Sequence, residues 1–337
     1  MNCKPILFLL IILSMVCQQS CNSANETTIP KIILDTDLGS DADDLGALIT
    51  LNNLHNAGEC EILGVMSYFH ENDVVAAINA TNTFYGNADL PIGIRSKVPY
   101  SNPDNHTGVI ARNFPHTKTN QDVPLAVELY RKILSAQEDN SVIIATVGPL
   151  GNIKALMESE ADEYSDLNGI ELLSKKVKFF TMMGGRYPSG SKEWNWSGNE
   201  LGVTEYVLGN LKNRIVISGA ENGESIRIGE EFNKYKKPNP LCTGFLHFSK
   251  CAFWVNENFK GEILNNASFD QITVLHAVYG DESPYWDIIE GSKCIVDAEG
   301  NTHWEEEKAS NHAHMLLKED VTPLRDLVLS LMVQDLE

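Results

Sequence analysis

The chain has 337 residues, 43% of them hydrophobic, which suits one large α/β domain or two small ones and excludes a disordered polymer. Its formal net charge of −20 excludes a nucleic-acid polymer as partner, because that binding needs a basic face. An acidic excess otherwise describes a soluble surface and assigns no function.

The N-terminus reads "MNCKPILFLLIILSMVCQQSCNSANETT": a lysine, an apolar run over residues 6–16, then small and polar residues. The run is shorter than the stretch of about 20 residues that spans a bilayer, and it fits an export signal over residues 1–21 followed by a tether over 22–30. Cys21, after "QQS" and before "NSANETT", suits lipid attachment as in a bacterial lipoprotein. The expected location is therefore exported, whether periplasmic, extracellular or lipid-anchored at Cys21, with membrane contact only through that signal or anchor. The cysteines beyond the leader, Cys60, Cys242, Cys251 and Cys294, show no CxxC or zinc spacing. Cys242 with Cys251 is the closest candidate disulfide, and free thiols are equally compatible. Asn-x-Ser/Thr sequons begin at Asn25, Asn79, Asn105, Asn195 and Asn266, and matter only in a eukaryotic secretory pathway.

One domain is expected over residues 31–337. "KIILDTD" reads as a strand, after which Leu45, Leu48, Leu51 and Leu54 recur at helical spacing up to Gly58. "EILGVMSY" is the next strand and residues 73–85 the next helix. "LPIGI", "SVIIATVG", "KVKFFTMMGG" and "NRIVISG" are further short strands, with helical stretches between most of them. This rhythm predicts an α/β fold: an open, mostly parallel, mixed β-sheet flanked by helices. Such sheets bind ligands at the carboxyl ends of their strands, where "DTD", "SYFHEN", "TVGP" and "MMGG" stand here. After "DESPYWD" the pattern changes to a hairpin, "CIVDAEGNTHW", and a closing helix, "TPLRDLVLSLMVQ".

Asp35, Asp37, Asp41, Asp43 and Asp44 crowd between the first strand and the first helix. An EF-hand is excluded, because counting from Asp35 the twelfth place holds Gly46 and the mid-loop glycine is Ser40. A haloacid-dehalogenase-type phosphatase would use Asp35 as nucleophile, Asp37 as acid/base and Thr146 on a later strand. Three further aspartates then occupy the room a phosphate needs. The remaining reading is a hard cation held by clustered carboxylates and a backbone carbonyl, with Asp37 and Asp44 reaching one ion. Such a cation binds vicinal hydroxyls and a water, which a spare carboxylate deprotonates.

"ILDTDLGSDADDLGAL" resembles the N-terminal signature of the inosine–uridine-preferring nucleoside hydrolase family, Asp-x-Asp-x-Gly-x-Asp-Asp. Two extra residues give the form Asp-x-Asp-x-Gly-x-Asp-x-Asp-Asp, similar to a bacterial branch of that family. "VGPLGNI", "MMGGRYPSGSKEWNW" and "SFDQITVL" resemble three further family motifs in the family's order. The resemblance implies a Rossmann-like fold and Ca²⁺-dependent hydrolysis of ribonucleosides to ribose and free base, through a ribosyl centre with oxocarbenium character. It implies that Asp37, Asp44, Asp270 and the carbonyl of Val147 hold Ca²⁺ and that Asp43 activates the water, with Asp41 as the competing base. It further implies that Glu193, Asn195, Met183 and, more loosely, Asn72 line the ribose site. A small ribonucleoside is then the partner, and a homo-oligomer is compatible with the resemblance.

Two departures stand out. Phe269 precedes Asp270 where purine-active members have a histidine suited to protonating the base, and the interval from Met-Gly-Gly to Glu193 is shortened, leaving no match for an intervening asparagine. The alternative is thus a non-catalytic Ca²⁺ and ribonucleoside binder of the same fold. His70, His276, His312 and His314 are candidate acids, and Trp194, flanked by Glu193 and Asn195, is the tryptophan best placed to meet a base.

Overall fold

The computed structural model describes residues 29–70, 73–96, 105–197, 200–334 and 336. The leader expected at 1–21, the tether up to residue 28 and Asn72 lie outside the described residues. The chain runs β1 (Lys31–Thr36), α1 (Asp43–Asn56), β2 (Glu61–Ser67), α2 (Val74–Phe84), β3 (Ile92–Ile94), α3 (Thr107–Asn113), α4 (Ala126–Ala136), β4 (Val142–Thr146), α5 (Gly151–Met157), α6 (Gly169–Lys176) and β5 (Val177–Met183). It continues through β6 (Ser189–Gly190), α7 (Trp194–Ser197), α8 (Val203–Asn210), β7 (Arg214–Ser218), α9 (Ala220–Glu224), β8 (Arg227–Ile228), α10 (Pro240–Cys251), β9 (Asn266–Ala267) and α11 (Phe269–Tyr279). It ends with β10 (Trp286–Ile289), β11 (Ser292–Val296), β12 (Thr302–Glu306), β13 (His312–Leu317) and α12 (Thr322–Val333).

Eight strands form the central sheet in the order β10-β13-β7-β5-β4-β1-β2-β3, parallel throughout except for edge strand β10. Side chains alternate faces along a strand, so the sheet feeds two cores. Ile32 and Leu34 of β1 join one core with Leu48, Ile78, Phe245 and Ile272. Ile33 joins the other with Leu129, Ile153 and Leu172. Both faces are covered, which is why the central strands read as continuous apolar runs rather than alternating ones.

The strand order positions the site. From β1 the chain adds β2 and β3 on one side, then crosses to β4, β5 and β7 on the other. The crossovers diverge between β1 and β4, so a crevice opens there at the carboxyl ends. Register pairs Asp35 with Thr146 and Thr146 with Met182, so Asp37, Val147 and Met183 leave the sheet at one level.

The expected mixed, mostly parallel sheet with flanking helices is the observed fold, and the hairpin and closing helix appear as β11–β12 and α12. The sequence reading missed β13, which returns to the sheet beside β7, and β10, which closes its edge. "HAHMLL" carries two histidines and no alternation, yet His312 and His314 are buried between β7 and β10. Cys242 and Cys251 are both free, nine residues apart on α10. At 1.5 Å per residue their Cα atoms are separated by about 13 Å, beyond a disulfide's reach. Of the sequons, Asn79, Asn195 and Asn266 are buried. Among the described residues no helix is long and apolar enough to cross a membrane.

The loops after β1 and β4 touch at Gly148, where a Cβ would stand 2.7 Å from Asp37 Oδ1 and 2.8 Å from the Asp37 backbone nitrogen. Backbone cannot yield there as a side-chain tip would. We expect Gly148→Ala to lower unfolding free energy by about 1–3 kcal/mol in denaturant titration, in the range of overpacked cores; an unchanged midpoint would refute the close approach.

Candidate active site

The crevice floor is built where two helices begin. Gly46 of α1 lets α11 approach closely, since a Cβ there would lie 2.2 Å from Gln271 Nε2. Asp43, the first residue of α1, caps the start of α11: its Oδ2 accepts the Phe269 N–H at 3.1 Å and the Asp270 N–H at 3.3 Å. Asp44 accepts from the Thr36 hydroxyl, which in turn accepts the Leu38 N–H at 3.1 Å. An oxygen from each of Asp43, Asp44 and Asp270 lies within 4.8 Å of the others, a set that can hold a metal ion. Asp37 lines the same cavity, and its Oδ2 accepts the Trp194 indole N–H at 3.3 Å. Helix N-termini favour negative charge, so acids at the start of both α1 and α11 are locally sensible.

Sharing one buried floor is costly for them. Burial pushes Asp37 up to about 6, while burial followed by repulsion from neighbouring carboxylates pushes Asp43, Asp44 and Asp270 well above the usual carboxylate range. Behind them, burial raises Asp35 to about 7 although Tyr130 and Asn152 donate to it at 2.8 and 3.0 Å. Asp41, half-buried and also raised by burial, accepts from Asn266 and from the Ala42 N–H, both at 2.5 Å. Among the described residues none of Asp37, Asp43, Asp44 and Asp270 has an ion-pair partner on lysine or arginine. Buried carboxylates without countercharge, offering oxygen donors only, match the ligand preference of a hard divalent cation.

The wall comes from the ends of β4 and β5 and the loop into α7. Asn195 Nδ2 donates to the Val147 carbonyl at 2.9 Å and contacts Met183 Sδ at 3.0 Å, so one amide ties three of the expected residues together. The Glu193 carboxylate accepts the N–H groups of Asn195, Gly185 and Trp196 at 2.9, 3.0 and 3.2 Å. It fixes the Met-Gly-Gly turn against α7, and burial raises it to about 7. Gly185 is required where it stands: its φ is +62° and a Cβ would meet the Trp196 ring at 2.5 Å.

The whole encloses a cavity of about 660 Å³, within the range of small-molecule sites. Asp37, Asp41, Asp43, Asp44, Val147, Met183, Glu193, Asn195 and Asp270 all line it. Asn72 lies outside the described residues. Phe269 lines the cavity, and no histidine among the described residues does. His276 is instead buried against Asp281 at 3.1 Å, His314 is stacked on Tyr187 with centroids 3.6 Å apart, His312 packs beside Cys294, and His70 is bound to the Arg95 carbonyl.

Sequence reasoning missed Arg186, Ser191, Lys192, Glu224 and Phe253, and gave Trp254 no specific place; all six line the cavity. Phe253 and Trp254 follow α10 and are 77% and 50% exposed, an aromatic pair left uncovered at a helix end. That pairing was the one signal available, but its location depends on tertiary packing.

Residues 32–238 match the family described as inosine-uridine preferring nucleoside hydrolase. Among solved structures, a plant nucleoside hydrolase, the PpNRh1 enzyme, is similar at TM-score 0.64 and 14% identity, over 90% of this chain and 99% of that one. An inosine-guanosine nucleoside hydrolase is similar at TM-score 0.59 and 14% identity, over 90% and 98% of the two chains. The type III effector protein XopQ, complexed with adenosine diphosphate ribose, is similar at TM-score 0.62 and 12% identity, over 92% and 95%. No curated protein matched. At these identities the structures speak for the fold, and the family match, which covers more than half of the chain, speaks for descent. The chain belongs to the inosine-uridine preferring nucleoside hydrolase family, and is a hydrolase acting on N-glycosyl compounds.

Proposed function

We propose that the protein hydrolyses the N-glycosidic bond of ribonucleosides in a Ca²⁺-dependent reaction that releases ribose and a free base. The observation that carries this reading is the meeting of Asp43, Asp44 and Asp270 at the floor of a cavity whose wall holds Glu193 and Asn195. Asp37, Asp44, Asp270 and the Val147 carbonyl would hold the ion. When bound, Ca²⁺ supplies charge that orients vicinal ribose hydroxyls and acidifies a water.

Asp43 is the base in this reading. Its Oδ2 is fixed by two backbone N–H groups, which leaves Oδ1 to take the proton from water. The water oxygen bonds to C1′, the C1′–N bond breaks, and its electron pair leaves on the base. Cation character at C1′ and the ring oxygen is stabilised by the surrounding carboxylates. Asn195 and Glu193, held by the contacts above, orient the ribose hydroxyls, and Met183 packs against the sugar. On the leaving side Phe269, Trp194, Phe253 and Trp254 offer aromatic faces for a nucleobase, and the base takes its proton from solvent.

Phe269 and the absence of a histidine from the described lining favour one competing reading, a binder that keeps the Ca²⁺–ribose site without turnover. We also place the chain in the bacterial branch of the family, with export and a role in nucleoside catabolism and salvage; the Asp41-Ala42-Asp43-Asp44 spacing and the apolar leader support this.

Incubation with a nucleoside panel should release base with Ca²⁺ present, and chelator should abolish the release. Calcium binding without release from any nucleoside would establish the binder. Asp43→Ala should lower kcat by about 10²–10⁴-fold, the usual worth of a positioned base, with calcium affinity retained in calorimetry. Asp270→Ala should weaken calcium binding itself. A dead but calcium-replete Asp41→Ala beside an active Asp43→Ala would move the base by two residues.

Stability should also follow pH. Asp37 at about 6 and Glu193 at about 7 stand above their ordinary 3.8 and 4.5, so the folded state binds more protons than the unfolded one. In the metal-free protein the stability these two groups contribute is therefore full below those ordinary values and is lost as pH rises through 6 and 7, so Tm should fall over that window. Saturating Ca²⁺ should remove most of the loss; a metal-free Tm that rises over this window would contradict the electrostatic account.

A further inference from the structure

The cavity lining mixes aromatic and polar side chains. Phe253 and Trp254, which follow α10, and Phe269, the first residue of α11, bring aromatic rings to it. Arg186, Ser191 and Lys192, from the stretch between β5 and α7, bring polar groups to it beside Trp194. Arg186 lies along Gly190, where a Cβ would meet the Arg186 Cβ at 2.5 Å, so the two cations belong to one compact stretch of chain.

The two cations are not equivalent. Arg186 is neutralised by Glu224, whose two carboxylate oxygens accept from both terminal guanidinium nitrogens at 2.5 and 3.1 Å. Lys192 has no ion-pair partner among the described residues, although the cavity it lines is rich in carboxylates. Its backbone is left-handed, with φ +52°. A side chain with a Cβ is disfavoured in that region, and non-glycine residues held there concentrate at ligand sites. The strained residue immediately precedes Glu193, which the ribose reading places on the sugar.

We propose that the cavity takes ribonucleosides bearing a phosphate on the ribose 5′ oxygen, with Lys192 meeting the phosphate. This rests on the ribonucleoside reading above. In this binding mode the vicinal hydroxyls meet the carboxylate floor, the nucleobase meets Phe253, Trp254 and Phe269, and the 5′ end of the sugar is turned towards Lys192. Lys192 then contributes the point charge and Ser191 a hydroxyl donor. The Arg186–Glu224 pair adds no net charge. The reaction balances as before: the water oxygen joins C1′, its proton passes to Asp43, the C1′–N electron pair leaves on the base, and solvent protonates the base. Ribose 5-phosphate and free base are the products.

Calorimetric binding of ribose 5-phosphate and of ribose to the Ca²⁺-loaded full chain tests the proposal without requiring turnover. Ribose 5-phosphate should bind at least about tenfold more tightly, the scale of a hydrogen bond to a charged group. Lys192→Asn, which accepts the left-handed backbone but lacks the charge, should bring the ratio towards one, and Lys192→Arg should restore it. Equal affinity for the two sugars overturns the proposal. So does a ratio that survives Lys192→Asn, because the preference would then come from the Ca²⁺ ion rather than from Lys192. Base release from nucleosides and from their 5′-monophosphates is followed in parallel. Release from neither sinks the hydrolase reading while the sugar comparison still decides the phosphate site; release from nucleosides with equal sugar binding sinks the phosphate site alone.

Discussion

Everything in this molecule is arranged around carboxylates that cannot comfortably share one buried space. Asp37, Asp43, Asp44 and Asp270 are buried together, and among the described residues no basic side chain makes ion-pair contact with them. Desolvation and repulsion oppose that arrangement, and two helix N-termini with a pair of backbone N–H groups on Asp43 offset only part of the cost. A site held in this condition has a strong preference for positive charge. That preference is the same whether the charge arrives as an ion or develops on a reacting sugar, which is why one cluster can serve both structure and chemistry.

The sheet makes the cluster geometrically possible. A parallel order that reverses at β1 and β4 opens its crevice where no crossover fills it, and the strand register brings three loops out at one level. The helices then close the floor. Gly46 and Gly148 are two of the positions where close approach leaves no room for a Cβ, one between helices and one between loops. The precision of the site thus rests on packed elements, with Asp43, Asp44 and Asp270 in the first turns of two helices that pack together.

Local chemistry was legible in the sequence and long-range assembly was not. The five aspartates, the strand rhythm and the turn glycines are written within short windows, so the mixed parallel sheet and its carboxyl-end site could be read directly. Asp270 could be read only through a motif, because nothing local tells an aspartate at one helix start that its partners lie over two hundred residues away. Phe253 and Lys192 were invisible, and Trp254 could be given no place, for the same reason: each is an ordinary surface residue until the fold turns it towards the cavity. β13 was missed because burial on both sides removes the alternation by which strands announce themselves.

The cap that Asp43 places on α11 joins the beginning of the domain to its last third. Only with α11 in place does the floor exist. The carboxylate floor is therefore a property of the whole domain: removing α11 would take away Asp270 and also the N–H groups that hold Asp43 in place.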